Sequence, residues 1–435
     1  MKRKLYPVKK IILIIYLFFV IYMPPLLENG MIEKVMLVLS ILYILVNLGK
    51  STKIINIKEN KRILLLCIIL LAYSLIISSI NSIINGNGNF FNKPAEIIIF
   101  MIYFFCEATA IAVYCKKNEI TSEAFIKLLI FVGLIQAIFV FASFFSSEIR
   151  SKLLSLISQN ASYSRIKESI SAEHYTALRR NYGFADTLYD RFGYTCSILC
   201  AVSFNLGLYK KKWGYYIASL IFVFCTLVNA RSGVVLCVIA MIVSGLLFFF
   251  YNNGSAKSVL RLVGLVFIVC IVIVAFLHIL QQYAPDTYEW MESGLGSIFE
   301  FSNALTDNNE MDFYISSETW FFPNIFGFIF GTARDPSYII GRSTDNGYVE
   351  QIWYIGIIGL LISINLFVGS IKRTSRTCTS QLERSVLYTM IILILVYMVK
   401  LFAFKNIAGT FIILSYCFLL NSLYTTHPNK VRESN

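Results

Sequence analysis

Apolar runs of roughly 17 to 25 residues, each long enough to cross the hydrocarbon layer of a membrane as a helix, follow one another along this chain with mostly short polar breaks between them. About twelve can be drawn, at 9–26, 31–49, 62–84, 94–115, 122–145, 191–208, 213–229, 232–252, 259–280, 346–370, 384–404 and 406–424. Backbone in lipid has to satisfy its own hydrogen bonds, which restricts such runs to helix. The expectation is an all-α polytopic membrane protein, one integral domain over residues 1–435. A chain that is 57% hydrophobic and 14% charged is too apolar for a soluble protein of this length. The run Ile11 to Met23 follows a basic MKRK start as a signal peptide would, but it leads into PPLLENG with no small-residue cleavage site and reads as the first span.

The net charge of +13 is not a nucleic-acid footprint, because the cations collect in short segments between apolar runs. MKRKLYPVKK, 50–62, 115–123, 209–213, the stretch holding Lys257 and Arg261, 371–384 and the tail HPNKVRESN are basic. The positive-inside rule places these segments, and both termini, in the cytoplasm. The remaining connections then face outward, and two of them are large: the third, about 146–190, and the fifth, about 281–345. The third carries Arg150, Lys152, Arg165, Lys167, Arg179 and Arg180, against the charge rule. In the fifth, ten carboxylates face only Arg334 and Arg342. A basic loop beside an acidic one either docks on it or forms two walls of a cleft. SSEIRSKLLSLISQ (146–159) has helical periodicity and fits an amphipathic helix along the outer surface.

Of the ten cysteines, eight lie within apolar runs and no disulfide or zinc pattern is present. There is no P-loop, dinucleotide fingerprint, HExxH or GxSxG, which argues against ATP-driven transport and metalloprotease chemistry.

The candidate functional residues sit at membrane borders. Arg342, Asp345, Asn346 and Glu350 fall within nine residues at the point where the fifth loop runs into an apolar stretch. They are either ordinary interfacial groups, with Asp345 a good N-cap type, or a working cluster. Arg231, in the tight turn NARS, needs an anion or water: a loop carboxylate, or the phosphate of a lipid-borne substrate. Planar guanidinium binds phosphate oxygens bidentately, so Arg180, Arg191 and Arg342 are its natural companions around a diphosphate. His174 is either solvated or a proton acceptor. Glu107, about mid-span, and Lys400, able to snorkel outward, are either bundle contacts or proton-coupling groups.

This plan resembles the O-antigen and capsular polysaccharide polymerases, the Wzy class, and more broadly the O-antigen ligase superfamily. The likeness covers about twelve spans with cytoplasmic ends and two enlarged external loops, and three local stretches: RNYGFADTLYDRFGY (180–194), NARSGVVLCVI (229–239) and FPNIFGFIFGTARDPSYIIGRSTDNGYVEQIWYIGIIG (322–359). Ligases carry a histidine near the end of the fifth loop; here Asp345 and Asn346 occupy that neighbourhood. The resemblance implies glycosyl transfer at the outer face of a bacterial cytoplasmic membrane, joining undecaprenyl-diphosphate-linked oligosaccharide units. It implies a diphosphate role for Arg231, Arg342, Arg180 and Arg191, a proton-accepting role for Asp345 or His174, and supporting roles for Asn346 and Glu350. It implies no metal and no cofactor. Its partners are the lipid-linked oligosaccharide, membrane lipids and, in such systems, a chain-length regulator and a flippase, with no nucleic acid. An O-antigen-ligase-type transferase and a polysaccharide flippase or secondary transporter share the hydropathy plan.

Overall fold

Every described run that reads as a span in the sequence is helical, because hydrophobic length and internal hydrogen bonding leave lipid-embedded backbone no other choice. The computed structural model describes residues 2–26, 31–86, 90–158, 183–185, 189–251, 274–283, 320–341 and 346–400, then 407–424, with a few single residues between. No strand occurs among the described residues. Six helices there are long and apolar enough to cross a membrane, and seven if one bent pair counts as a single span. They account for the predicted runs at 62–84, 94–115, 122–145, 191–208, 232–252 and 346–370. Most of the run at 259–280 lies outside the described residues.

The elements are α1 Lys2–Tyr22, α2 Met31–Val46, α3 Leu48–Ile55, α4 Lys58–Asn85, α5 Asn92–Lys117, α6 Ser122–Phe145, α7 Ser147–Ser158, α8 Tyr189–Lys210, α9 Trp213–Leu227 and α10 Arg231–Tyr251. After the fifth loop come α11 Ile325–Phe330, α12 Pro336–Ile340, α13 Gly347–Ile364, a π-helical turn Asn365–Gly369, α14 Ser370–Thr377, α15 Gln381–Tyr397 and α16 Ile407–Tyr424. Helix α7 stands where periodicity predicts it. The run read as one span at 31–49 is instead two helices meeting at 101°. Asn47 makes the corner by folding its amide back onto the Tyr43 carbonyl, 2.9 Å away. The polar GKSTK that follows would be costly to carry straight on through lipid.

The chain forms two compact units. The first comprises 1–36, 123–301 and 380–393; the second comprises 37–122, 302–379 and 394–435. In the first unit α8 packs against α9 and α10 and is almost wholly buried. A closed polar circuit locks three of its helices together. The Asn205 amide of α8 donates to Ser244 Oγ of α10 at 2.7 Å, Ser244 meets Thr389 Oγ1 of α15 at 3.1 Å, and Ser385 Oγ of α15 donates back to Asn205 Oδ1 at 2.6 Å. All four residues are fully buried. Interhelical hydrogen bonds in membranes contribute about 0.6 kcal/mol each on average and up to about 1.7. Asn205→Leu breaks two of them and leaves Ser244 and Ser385 to find other partners. We expect a loss of about 1–3 kcal/mol, read as a lower unfolding temperature in detergent with the helix content of the folded state unchanged.

In the second unit α5 packs against α16 and α4, and α13 packs against α4 and α11. Its interior is filled by aromatic side chains, with the rings of Phe104 and Phe418 5.3 Å apart and those of Phe100 and Phe367 5.9 Å apart, both edge-on.

Candidate functional site

The first unit has a charged end and a basic end. At the basic end Glu123, opening α6, takes Lys127 and Lys210 at 2.6 Å each, joining the start of α6 to the last turn of α8. Arg191 lies at the other end of α8, in its first turn. There, α8 and α10 approach until their glycines touch: a Cβ built on Gly233 would lie 2.7 Å from Gly193 Cα, and one on Gly193 would lie 3.0 Å from the Ala230 Cβ. Only glycine permits that approach. Arg191 and Arg231 each stand two residues before these glycines, in the first turns of α8 and α10.

The turn that delivers Arg231 is closed by Ala230 N–H on Thr226 O at 2.8 Å, Asn229 N–H on Thr226 O at 3.0 Å and the Asn229 amide on Cys225 O at 2.8 Å. Arg231 is the first residue of α10. Helix first turns present unsatisfied N–H groups and the positive end of the dipole, so two of them, each with an arginine, make an anion-attracting corner. Arg191 is exposed.

In the second unit the notable feature is a broken helix. Gly356 in α13 has φ 64° and ψ −178°, which interrupts the ladder and frees the carbonyls of Trp353 and Tyr354. A strand-like stub of the fifth loop takes them: Thr332 N–H and Oγ1 both donate to Trp353 O, at 2.7 and 2.8 Å, and Ala333 N–H donates to Tyr354 O at 3.0 Å. The Trp353 indole N–H donates to Phe321 O at 3.1 Å, and Tyr73 Oη of α4 donates to Phe330 O at 3.0 Å. Residues 321–334 are therefore pinned against the interior of α13 and α4. Gly331, at φ 94°, completes the fit, since a Cβ there would stand 2.5 Å from Tyr354 O. A Cβ on Gly356 would collide with Ile329 O. Gly356→Ala combines that collision with a backbone conformation open essentially to glycine alone, costing about 1–3 kcal/mol. We expect it to lower the unfolding temperature and to open the 330–334 backbone to protease.

Against this break lies a buried charge cluster. Lys93, 1% exposed at the start of α5, is 2.6 Å from Glu96 Oε2 and 3.8 Å from Glu350 Oε1, with its ammonium 5.1 Å from the Tyr354 ring centroid. Glu350 and Asn346 are also buried. Asn346, rather than Asp345, caps α13: its Oδ1 accepts Tyr348 N–H at 3.0 Å and Val349 N–H at 3.3 Å. The Arg334 guanidinium stacks 4.1 Å from the Phe90 ring centroid. Ala333, just before it, is held at φ 58°, a conformation uncommon for a residue with a side chain.

No protein-family model and no curated protein matches the chain.

Of the residues singled out in the sequence, Arg191 and Arg231 lie in the first turns of the two helices that meet at Gly193 and Gly233 in the first unit. Asn346 and Glu350 share the first turn and a half of α13 in the second. Arg180, His174, Arg342 and Asp345 lie outside the described residues. Glu107 is buried in α5, and Lys400 is half-buried in the turn after α15. Sequence reasoning missed Lys93, Glu96 and Arg334. The signal for the first two was a lysine and a glutamate three apart at the mouth of an apolar run, NKPAE, which the drawn boundary at 94 splits between loop and span. No group of three or more potential metal ligands is found among the described residues.

Proposed function

We propose that the chain is a polysaccharide polymerase, transferring a growing glycan from its lipid diphosphate onto the sugar hydroxyl of an incoming lipid-linked unit at the outer face of the cytoplasmic membrane, with about twelve spans and both termini in the cytoplasm. The observation that carries this reading is the glycine-mediated pairing of two helix first turns bearing Arg191 and Arg231, at the end of α8 opposite its basic connection. By the positive-inside rule that end faces outward. Arginines in the first turns of two adjoining helices suit a diphosphate whose negative charge grows as it leaves. The glycosidic bond forms as the bond from the sugar's anomeric carbon to phosphate breaks, and the hydroxyl proton passes to a carboxylate or imidazole, for which Asp345 and His174 are the candidates. Arg342 and Arg180 extend the cationic rim from the two large loops. The diphosphate bond supplies the driving energy.

A second reading, a flippase or secondary transporter, draws on the break at Gly356 and the buried Lys93–Glu350 pair, because discontinuous helices and intramembrane charges are common at transport sites. One experiment separates the two. Purified protein in liposomes, given a defined lipid-diphosphate oligosaccharide, should convert single units into a ladder on a gel. Movement of the labelled lipid between leaflets without lengthening would support transport instead.

A further inference from the structure

Where the corner at Asn47 turns α3 away from α2, the second unit presents cations beside exposed hydrocarbon. Helix α3 is amphipathic: Ser51 and Ile54 are buried, while Lys50 and Lys53 are exposed. It is held firmly in place. The Asn60 amide donates to Ile54 O at 2.9 Å, Ser51 Oγ donates to Ile44 O at 3.2 Å and to Asn47 O at 3.1 Å, and Lys117 Nζ donates to Asn47 Oδ1 at 3.2 Å. The last turn of α5, which packs against α3, brings up Lys116, also exposed, next in sequence to the Lys117 that reaches Asn47. Lys50 and Lys53 stand three apart on α3, and cations gathered at a membrane surface attract anionic headgroups. Next to them Leu45, Val46 and Leu48 are 58%, 83% and 55% exposed.

We propose that Lys50, Lys53 and Lys116 form a binding site for the phosphate of an anionic phospholipid in the leaflet on this side, with Leu45, Val46 and Leu48 taking its acyl chains. The 101° bend lets α3 lie along the headgroup layer beside the apolar α2, where lysines reach phosphate and leucines reach hydrocarbon. A free phosphate ion would use the lysines but not the hydrocarbon ledge, and that selects lipid. The site lies at the end of α5 away from Lys93, so it is independent of the glycosyl-transfer reading.

The test uses the full chain, purified in neutral detergent and titrated with phosphatidylglycerol or phosphatidylcholine, with bound lipid counted by native mass spectrometry. Wild-type protein is expected to hold phosphatidylglycerol more tightly. A basic residue at an anionic surface contributes about fivefold in affinity, so Lys50→Gln, Lys53→Gln and Lys116→Gln together should weaken binding about a hundredfold. Lys152→Gln, an exposed lysine on α7, should leave it unchanged. In wild type, about 0.5 M salt should release most of the phosphatidylglycerol, which decides the matter even if the triple variant fails to fold. Equal affinity for the two lipids, unchanged affinity in the triple variant, salt-insensitive binding, or displacement of the lipid by millimolar inorganic phosphate would each overturn the assignment.

Discussion

Arg231→Ala is expected to abolish long glycan chains in cells while single lipid-linked units accumulate, at unchanged protein level. The residue opens α10, two positions before the glycine that meets α8. Removing a preorganised donor from a developing negative charge typically costs about 10²- to 10³-fold in rate, or roughly 3–4 kcal/mol. Arg231→Lys should restore little, because an ammonium keeps the charge but not the two parallel N–H groups that grip a phosphate. Arg191→Ala should fall less, by about tenfold, because its exposed position leaves water to supply part of the same stabilisation. Chain-length profiles of complemented deletion strains, with the protein quantified by immunoblot, check all three.

Lys93→Met carries the largest expected loss of stability. Its ammonium is enclosed by Glu96, Glu350 and the Tyr354 face, and Glu350 is itself buried. Taking away the cation leaves a carboxylate in the interior with less to balance it, a change that typically costs about 3–5 kcal/mol. Glu350→Gln in the Lys93→Met background removes the buried negative charge and should recover part of the loss. A double-mutant cycle on unfolding in detergent would show that coupling. If the single and double variants unfold alike, the two residues do not act as a pair.

The contrast between what the sequence discloses and what it conceals follows from the physics of each signal. Spans are legible because bilayer thickness imposes one length on all of them, and six of the drawn runs return as helices of spanning length and composition. Arg191 and Arg231 are legible as charges at span mouths, but the meeting of the helices that carry them is not. It depends on Gly193 and Gly233, and small residues in apolar runs are too common to mark a contact. Gly356 is silent for the same reason: a glycine inside a hydrophobic run looks the same whether it kinks the helix or packs a neighbour. The stub at 331–334 reads as external loop because its polarity says nothing about where its backbone hydrogen bonds end. Lys93 and Glu350 come from distant parts of the chain, and only folding shows that they meet.

The account stands most directly on which side of the membrane Arg191 and Arg231 face. Single-cysteine variants Arg191→Cys and Arg231→Cys, in a background lacking the native cysteines, can be labelled in intact spheroplasts with a membrane-impermeant maleimide. The account predicts that both positions label from outside before permeabilisation, and that undecaprenyl diphosphate protects them. Labelling only after permeabilisation would place the two arginines in the cytoplasm and contradict it.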